Sequence, residues 1–180
     1  MNRIEPEIPS RNTDSIRKET KMSQANFSSV LDKPSTDVGR PKPLPVGSYI
    51  TVVQGLPKID KSSKKQTEYS EYSLKVLQAG EDVDADDLNT ALTKASGEKL
   101  NLTDKVIRIT FYHTEDSLWR LKQFFEHLDI PEEDDDGETL TMRQRMQLVP
   151  NRQVGVYVKH VASEDGEAVF ANADKTFRVE

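Results

Sequence analysis

Apolar residues recur at every second position along several stretches of the chain, the spacing of strands that bury one face. Gly47-Ser48-Tyr49-Ile50-Thr51-Val52-Val53-Gln54 is rich in β-formers and predicts a first strand. Lys58 to Gln66 is polar and lysine-rich and is expected to be a loop. Glu68 to Gln78 predicts a second strand, with Tyr72, Leu74 and Val76 alternating onto one face. Lys105 to His113 predicts a third, in which Ile107, Ile109 and Phe111 oppose Val106, Arg108, Thr110 and Tyr112. The long connection from Ala79 to Asp104 carries Leu88, Ala91, Leu92 and Ala95 at helical spacing. It predicts a short helix capped by Asp86 or Asp87 and ended at Gly97. From Thr114 to Leu128 the period changes to that of an amphipathic helix, with Leu118, Leu121, Phe125 and Leu128 on one stripe and Pro131 as its stop. An acidic loop, Glu132 to Glu138, separates it from a weaker helix over Thr141 to Leu148, closed by Pro150. Gln153 to Val161 predicts a fourth strand with Val154, Val156 and Val158 inward. The turn Ser163-Glu164-Asp165-Gly166 suits a hairpin. A fifth strand follows over Glu167 to Ala173 and Thr176 to Val179, bent or broken at Ala173-Asp174.

The predicted class is mainly β with one or two helices. Five strands with the main helix between the third and fourth is the order of an OB-like Greek-key barrel. A sandwich would want about seven strands, and an SH3-like barrel has no place for this helix. Residues 1–45 read as a disordered arm before an OB-like domain over 46–180 that includes the long 79–104 insertion loop. The arm ends in Arg40-Pro41-Lys42-Pro43-Leu44-Pro45, whose alternate prolines favour an extended stretch. Met22-Ser23-Gln24 has the look of an alternative start, and Phe27, Val30 and Leu31 form a small apolar knot that could dock.

Composition changes this picture in two ways. With 34% apolar and 31% charged residues, part of the chain should stay outside a packed core. With no cysteine, disulfides, thiolate metal sites and a cysteine nucleophile are excluded. No apolar run is long enough to span a bilayer, so a soluble, cytoplasmic protein is expected. Neither standard glycine-rich phosphate loop is present, and His113, His127 and His160 have no ligand spacing. Asp82-Val83-Asp84-Ala85-Asp86 imitates the start of a calcium loop but fails at Asp87 and Thr93, where Gly and Glu are required. These readings predict no metal, no cofactor and no catalytic set: a binding protein and not an enzyme.

The net charge of −6 conceals a local excess of positive charge. Lys58, Lys61, Lys64 and Lys65 are opposed only by Asp60, and Tyr69 and Tyr72 follow directly, Tyr72 being also a candidate for the core. Arg108 and Tyr112 on the third strand, and Tyr157 and Lys159 on the fourth, lie opposite the rows read as core. Lysines neutralise phosphates and tyrosine faces stack on bases, so this set suits single-stranded nucleic acid. Trp119, on the main helix, is expected to pack against the barrel rather than stack on a base.

From Phe27 onward the chain resembles phage-encoded single-stranded-DNA-binding-like proteins. The similar strings are Phe27-Ser28-Ser29-Val30-Leu31-Asp32, Leu44-Pro45-Val46-Gly47-Ser48-Tyr49, Phe124-Phe125-Glu126-His127-Leu128-Asp129-Ile130, and Asn151-Arg152-Gln153-Val154 leading to His160 and Asp165-Gly166. The resemblance implies an OB-fold and a role in replication or recombination in the host cytoplasm, with single-stranded DNA as partner. Such proteins often end in an acidic tail, whereas the acidic stretches here are internal, so recruitment of replication or recombination proteins would fall to them or to the arm. A virion structural or assembly protein, using barrel and arm for protein–protein contacts, remains the alternative, and a homo-oligomer is compatible with either.

Overall fold

The alternation at residues 47–53 becomes β1 (Gly47–Val53), with Gly47, Tyr49, Thr51 and Val53 buried and the residues between them half-buried. In the computed structural model the described residues are 42–180, apart from 95, 164 and 167. Met22, Phe27, Val30 and Leu31 of the expected arm lie outside them. Residues 42–45 belong with the domain: Leu44 is buried in the core, and its carbonyl lies 2.8 Å from His160 Nε2. Tyr49 donates its hydroxyl to Pro45 O at 2.9 Å, and burial, then the nearby Asp82 carboxylate, pushes its phenol up to about 12. The domain therefore begins before residue 46.

The lysine-rich stretch expected to be a loop is in part a strand, β2 (Lys58–Lys61). It pairs antiparallel with the start of β3 (Glu68–Ala79), from Lys58↔Glu71 to Lys61↔Glu68. All four β2 side chains are exposed, so no apolar alternation marked it. The length of β3, 12 residues, lets it organise the sheet. One edge carries β2 and then β1, the latter from Val53↔Leu74 to Tyr49↔Ala79. The other carries β4 (Val106–Tyr112), from Tyr69↔Tyr112 to Lys75↔Val106. β1 also pairs with β5 (Gln153–Ala162), and β5 with β6 (Val169–Phe177). The result is a six-stranded antiparallel sheet.

Register irregularities at Ile50/Thr51 and Tyr157/Val158 bend the ladders, as an extra residue on one strand does. The second leaves Asp174 unpaired between Ala173 and Lys175. The fifth predicted strand is thus one strand, bulged where a bend was expected. β4 and β6 approach each other, but among the described residues no ladder joins them. The sheet stays open there, and the closed five-stranded barrel expected from the element order is not formed.

The inner face is the predicted one. Tyr72, Leu74, Val76, Ile107, Ile109, Phe111, Val154, Val156 and Val158 are all buried. Each such side chain contributes about 1.5–3 kcal/mol through removal from water. Thr51 is buried among them because its hydroxyl donates to Val154 O at 2.8 Å. The main helix, α2, spans Leu118–His127 and follows a turn over residues 114–117. It lowers Leu121, Phe124 and Phe125 onto the sheet, where Phe124 sits 5.0 Å from the rings of both Tyr72 and Phe111. It ends as Asp129 turns left-handed (φ 55°) and Ile130 N donates back to Phe125 O.

Two shorter helices complete the domain. In α1 (Ala85–Ala91) the cap is Asp84, not Asp86 or Asp87: its carboxylate accepts from the amides of both. The helix stops at Leu92, ahead of Gly97, which sits in a following turn at φ 82°. In α3 (Met142–Gln147) Thr141 and Gln144 form a reciprocal capping box. Its buried Arg145 donates to Ile130 O and lies 5.1 Å over the Phe125 ring.

Candidate nucleic-acid interface

The β2–β3 hairpin presents the lysines. Its turn is closed by Ser62 N donating to Thr67 O, Gln66 N donating to Ser62 O, and Thr67 N donating to Ser62 Oγ. Gln66 takes a left-handed conformation, φ 55°, to make the turn. Between residues 58 and 67 the formal balance is four lysines against Asp60, a net +3 on a chain of −6. Lys58 and Asp60 form an exposed ion pair at 2.8 Å, which holds the Lys58 ammonium above its ordinary value and the Asp60 carboxyl below its own. Lys61, Lys64 and Lys65 extend the charge around the turn, all three exposed.

At the base of this turn the register sets Tyr69 directly opposite Tyr112. Their rings meet edge to face, 5.8 Å between centroids and 62° between planes. Both lie on the outer face of the sheet, Tyr112 with 47% of its surface exposed. A depression of about 550 Å³ opens beside Tyr112, bounded by Ser62, Lys64 and Lys65 of the turn and by Thr114 and Ser117 ahead of α2. An exposed aromatic face therefore borders a cation-rich hollow, so that a base could lie on the ring while its phosphate meets ammonium groups. Two carboxylates border the hairpin: Glu68, opposite Lys61, lies 3.0 Å from His113 Nδ1, and Glu71, opposite Lys58, is 4.0 Å from the exposed Arg108 guanidinium.

Not all of the expected site comes together. Tyr72 is a correction: it is fully buried against Phe111 and Phe124, its phenol pushed far up by burial, and it offers no stacking face. Tyr157 and Lys159 are on β5, separated from β3 by β1. Tyr157 stands opposite Ser48 of β1, next to the Tyr49↔Ala79 pairing. That pairing is ten residues along β3 from Tyr69, roughly 30 Å of strand at about 3.3 Å per residue. Lys159 is ion-paired with the bulged Asp174, whose carboxyl it holds below the usual range. The residues that do assemble are Lys58, Lys61, Lys64, Lys65, Tyr69 and Tyr112, with Arg108 further along the same face.

Trp119 is a second correction. Expected to pack against the barrel, it stands 60% exposed on α2 rather than covered by the sheet. At about 100° per residue it falls far from the Leu121/Phe125/Leu128 stripe, so the helical period itself carried the signal. Among the described residues, no group of three or more His, Asp or Glu side chains is placed to hold a metal ion, and no helix is long and apolar enough to cross a membrane. Compared with known proteins, the chain matches no family model and no curated protein.

Proposed function

We propose that the protein is a non-catalytic single-stranded nucleic-acid-binding protein, with DNA as its ligand and little sequence preference. The observation that carries this reading is the lysine hairpin folded beside the Tyr69–Tyr112 pair, of which Tyr112 is exposed. Lysines on a flexible stem neutralise phosphates without reading bases, and a tyrosine face accepts any base, which together give affinity without sequence choice. An OB-like module with α2 between its third- and fourth-ranked long strands is the architecture this reading implies. The site would then lie on the outer face of β3 and β4, beside the loop that OB modules use for oligonucleotides. Phage-type replication or recombination in the host cytoplasm is the proposed setting.

The test is a fluorescence-anisotropy titration of labelled oligo-dT at low and moderate salt, with the triple variant Lys61→Ala/Lys64→Ala/Lys65→Ala in parallel. Each phosphate neutralised on a single strand contributes about 0.7 to the slope of log affinity against log salt. Removing three cations should lower that slope by about 2 and weaken binding most at low salt. Affinity indifferent to salt, or no binding at low salt, would sink the proposal.

A second reading, an assembly module making protein–protein contacts, draws on the outer end of the β5–β6 hairpin. There the cross-strand pair Val161↔Phe170 and the neighbouring Val169 leave three apolar side chains exposed. Sedimentation showing self-association that Phe170→Ser abolishes, in a protein that ignores oligo-dT, would favour it.

A further inference from the structure

The gap between β4 and β6 is not filled by the sheet. A second groove, of about 510 Å³, opens there. Ile109 and Phe111 supply its apolar lining, Trp119 and Arg120 come from α2, and Asp174 and Lys175 from β6. Indole is the largest apolar side chain, and its exposure beside an open apolar groove leaves surface that a ligand could remove from water. The charges are unbalanced. Asp174 is the carboxylate of this groove and is shared among three cations, paired with Lys159 and within electrostatic reach of Lys175 and Arg120, so positive charge is in excess there. The two hollows are neighbours along the chain: Ser117 lines one and Trp119, two residues later, lines the other.

We infer that the groove at Trp119 is a second stacking subsite for the same single strand, in which a base lies on the indole and the adjoining phosphates meet Arg120 and Lys175. The inference rests on the nucleic-acid reading and extends it: the strand passes from the Tyr112 hollow over the start of α2 to the gap between β4 and β6. A single-stranded nucleic acid fits because the site pairs an aromatic face with an excess of cations over its one carboxylate, the combination that base and phosphate require together.

Trp119 is the chain's single tryptophan, so its emission reports on this groove alone. Unlabelled oligo-dT titrated into the full chain should quench that emission over the same concentration range in which anisotropy of a labelled oligo reports binding. Loss of one stacked base by Trp119→Ala should weaken binding roughly 5- to 150-fold, with Trp119→Phe in between. Because the indole is exposed, circular dichroism should show both variants folded. The double variant Arg120→Ala/Lys175→Ala should lower the salt slope by about 1.4. If the oligo binds while the emission stays unchanged and Trp119→Ala retains wild-type affinity, the second subsite is wrong and the proposed function stands. If no oligo binds at low salt, both fall.

Discussion

Tyr72 and Tyr112 show how much the face of a strand decides. Both residues are tyrosines of neighbouring strands, and both looked able to stack on a base. Tyr72 shares its face with Leu74 and Val76 and is buried against Phe124, while Tyr112 shares its face with Arg108 and meets solvent. Substitution should separate them. Tyr72→Ala opens the core and should cost about 3–5 kcal/mol of stability, read as a fall in the urea midpoint. Tyr112→Ala should leave that midpoint nearly in place and weaken oligo-dT binding roughly 5- to 150-fold, the worth of one stacked base. A Tyr112→Ala variant with undiminished affinity would remove the aromatic half of the proposed interface. The alternation already put Tyr72 with the core residues, so its burial was legible. The pairing of Tyr69 with Tyr112 was not, because register across strands that are far apart in sequence depends on the whole sheet.

At the scale of elements, the ones the chain announces are those with an apolar face. β1, β3, β4, β5 and α2 each bury a row of side chains, and each lies close to its predicted position. β2 has no such row. It exists through its backbone ladder to β3, and a polar, lysine-rich string gives no sign of that. α1 begins where expected but ends at Ala91, ahead of Gly97, and its cap is Asp84, since Asp84, Asp86 and Asp87 offer rival caps and only the backbone turn at Asp84 decides among them. The capping box of α3 makes its own prediction. Thr141→Ala removes the side chain that accepts from Gln144 N and should cost about 1 kcal/mol in chemical denaturation. Because α3 also anchors the acidic loop, through Arg145 to Ile130 O and toward Glu132, the loss should register there as faster proteolysis. It should leave oligonucleotide affinity unchanged.

At the scale of the molecule, the element order points to a nearly closed OB-like barrel, and the sheet remains open between β4 and β6 among the described residues. Closure depends on whether two edges, set by several accumulated twists and bulges, end within hydrogen-bonding reach, and no local string of residues encodes that distance. Opening divides the strands into two kinds. β1, the β3 residues up to Lys75 and the β5 residues Gly155–Val158 lie between neighbouring strands, so their amides should exchange with deuterium only when the whole domain unfolds. β4 and β6 each have one edge without a ladder among the described residues, and the alternate amides on that edge should exchange first. Uniform protection across all five long strands would mean that the two edges are in fact joined in solution. The open side thus gives the domain a built-in clock. Isotope uptake along β4 and β6 measures how often that side of the molecule loosens, and its slowing when oligo-dT is added would show a bound strand bracing it.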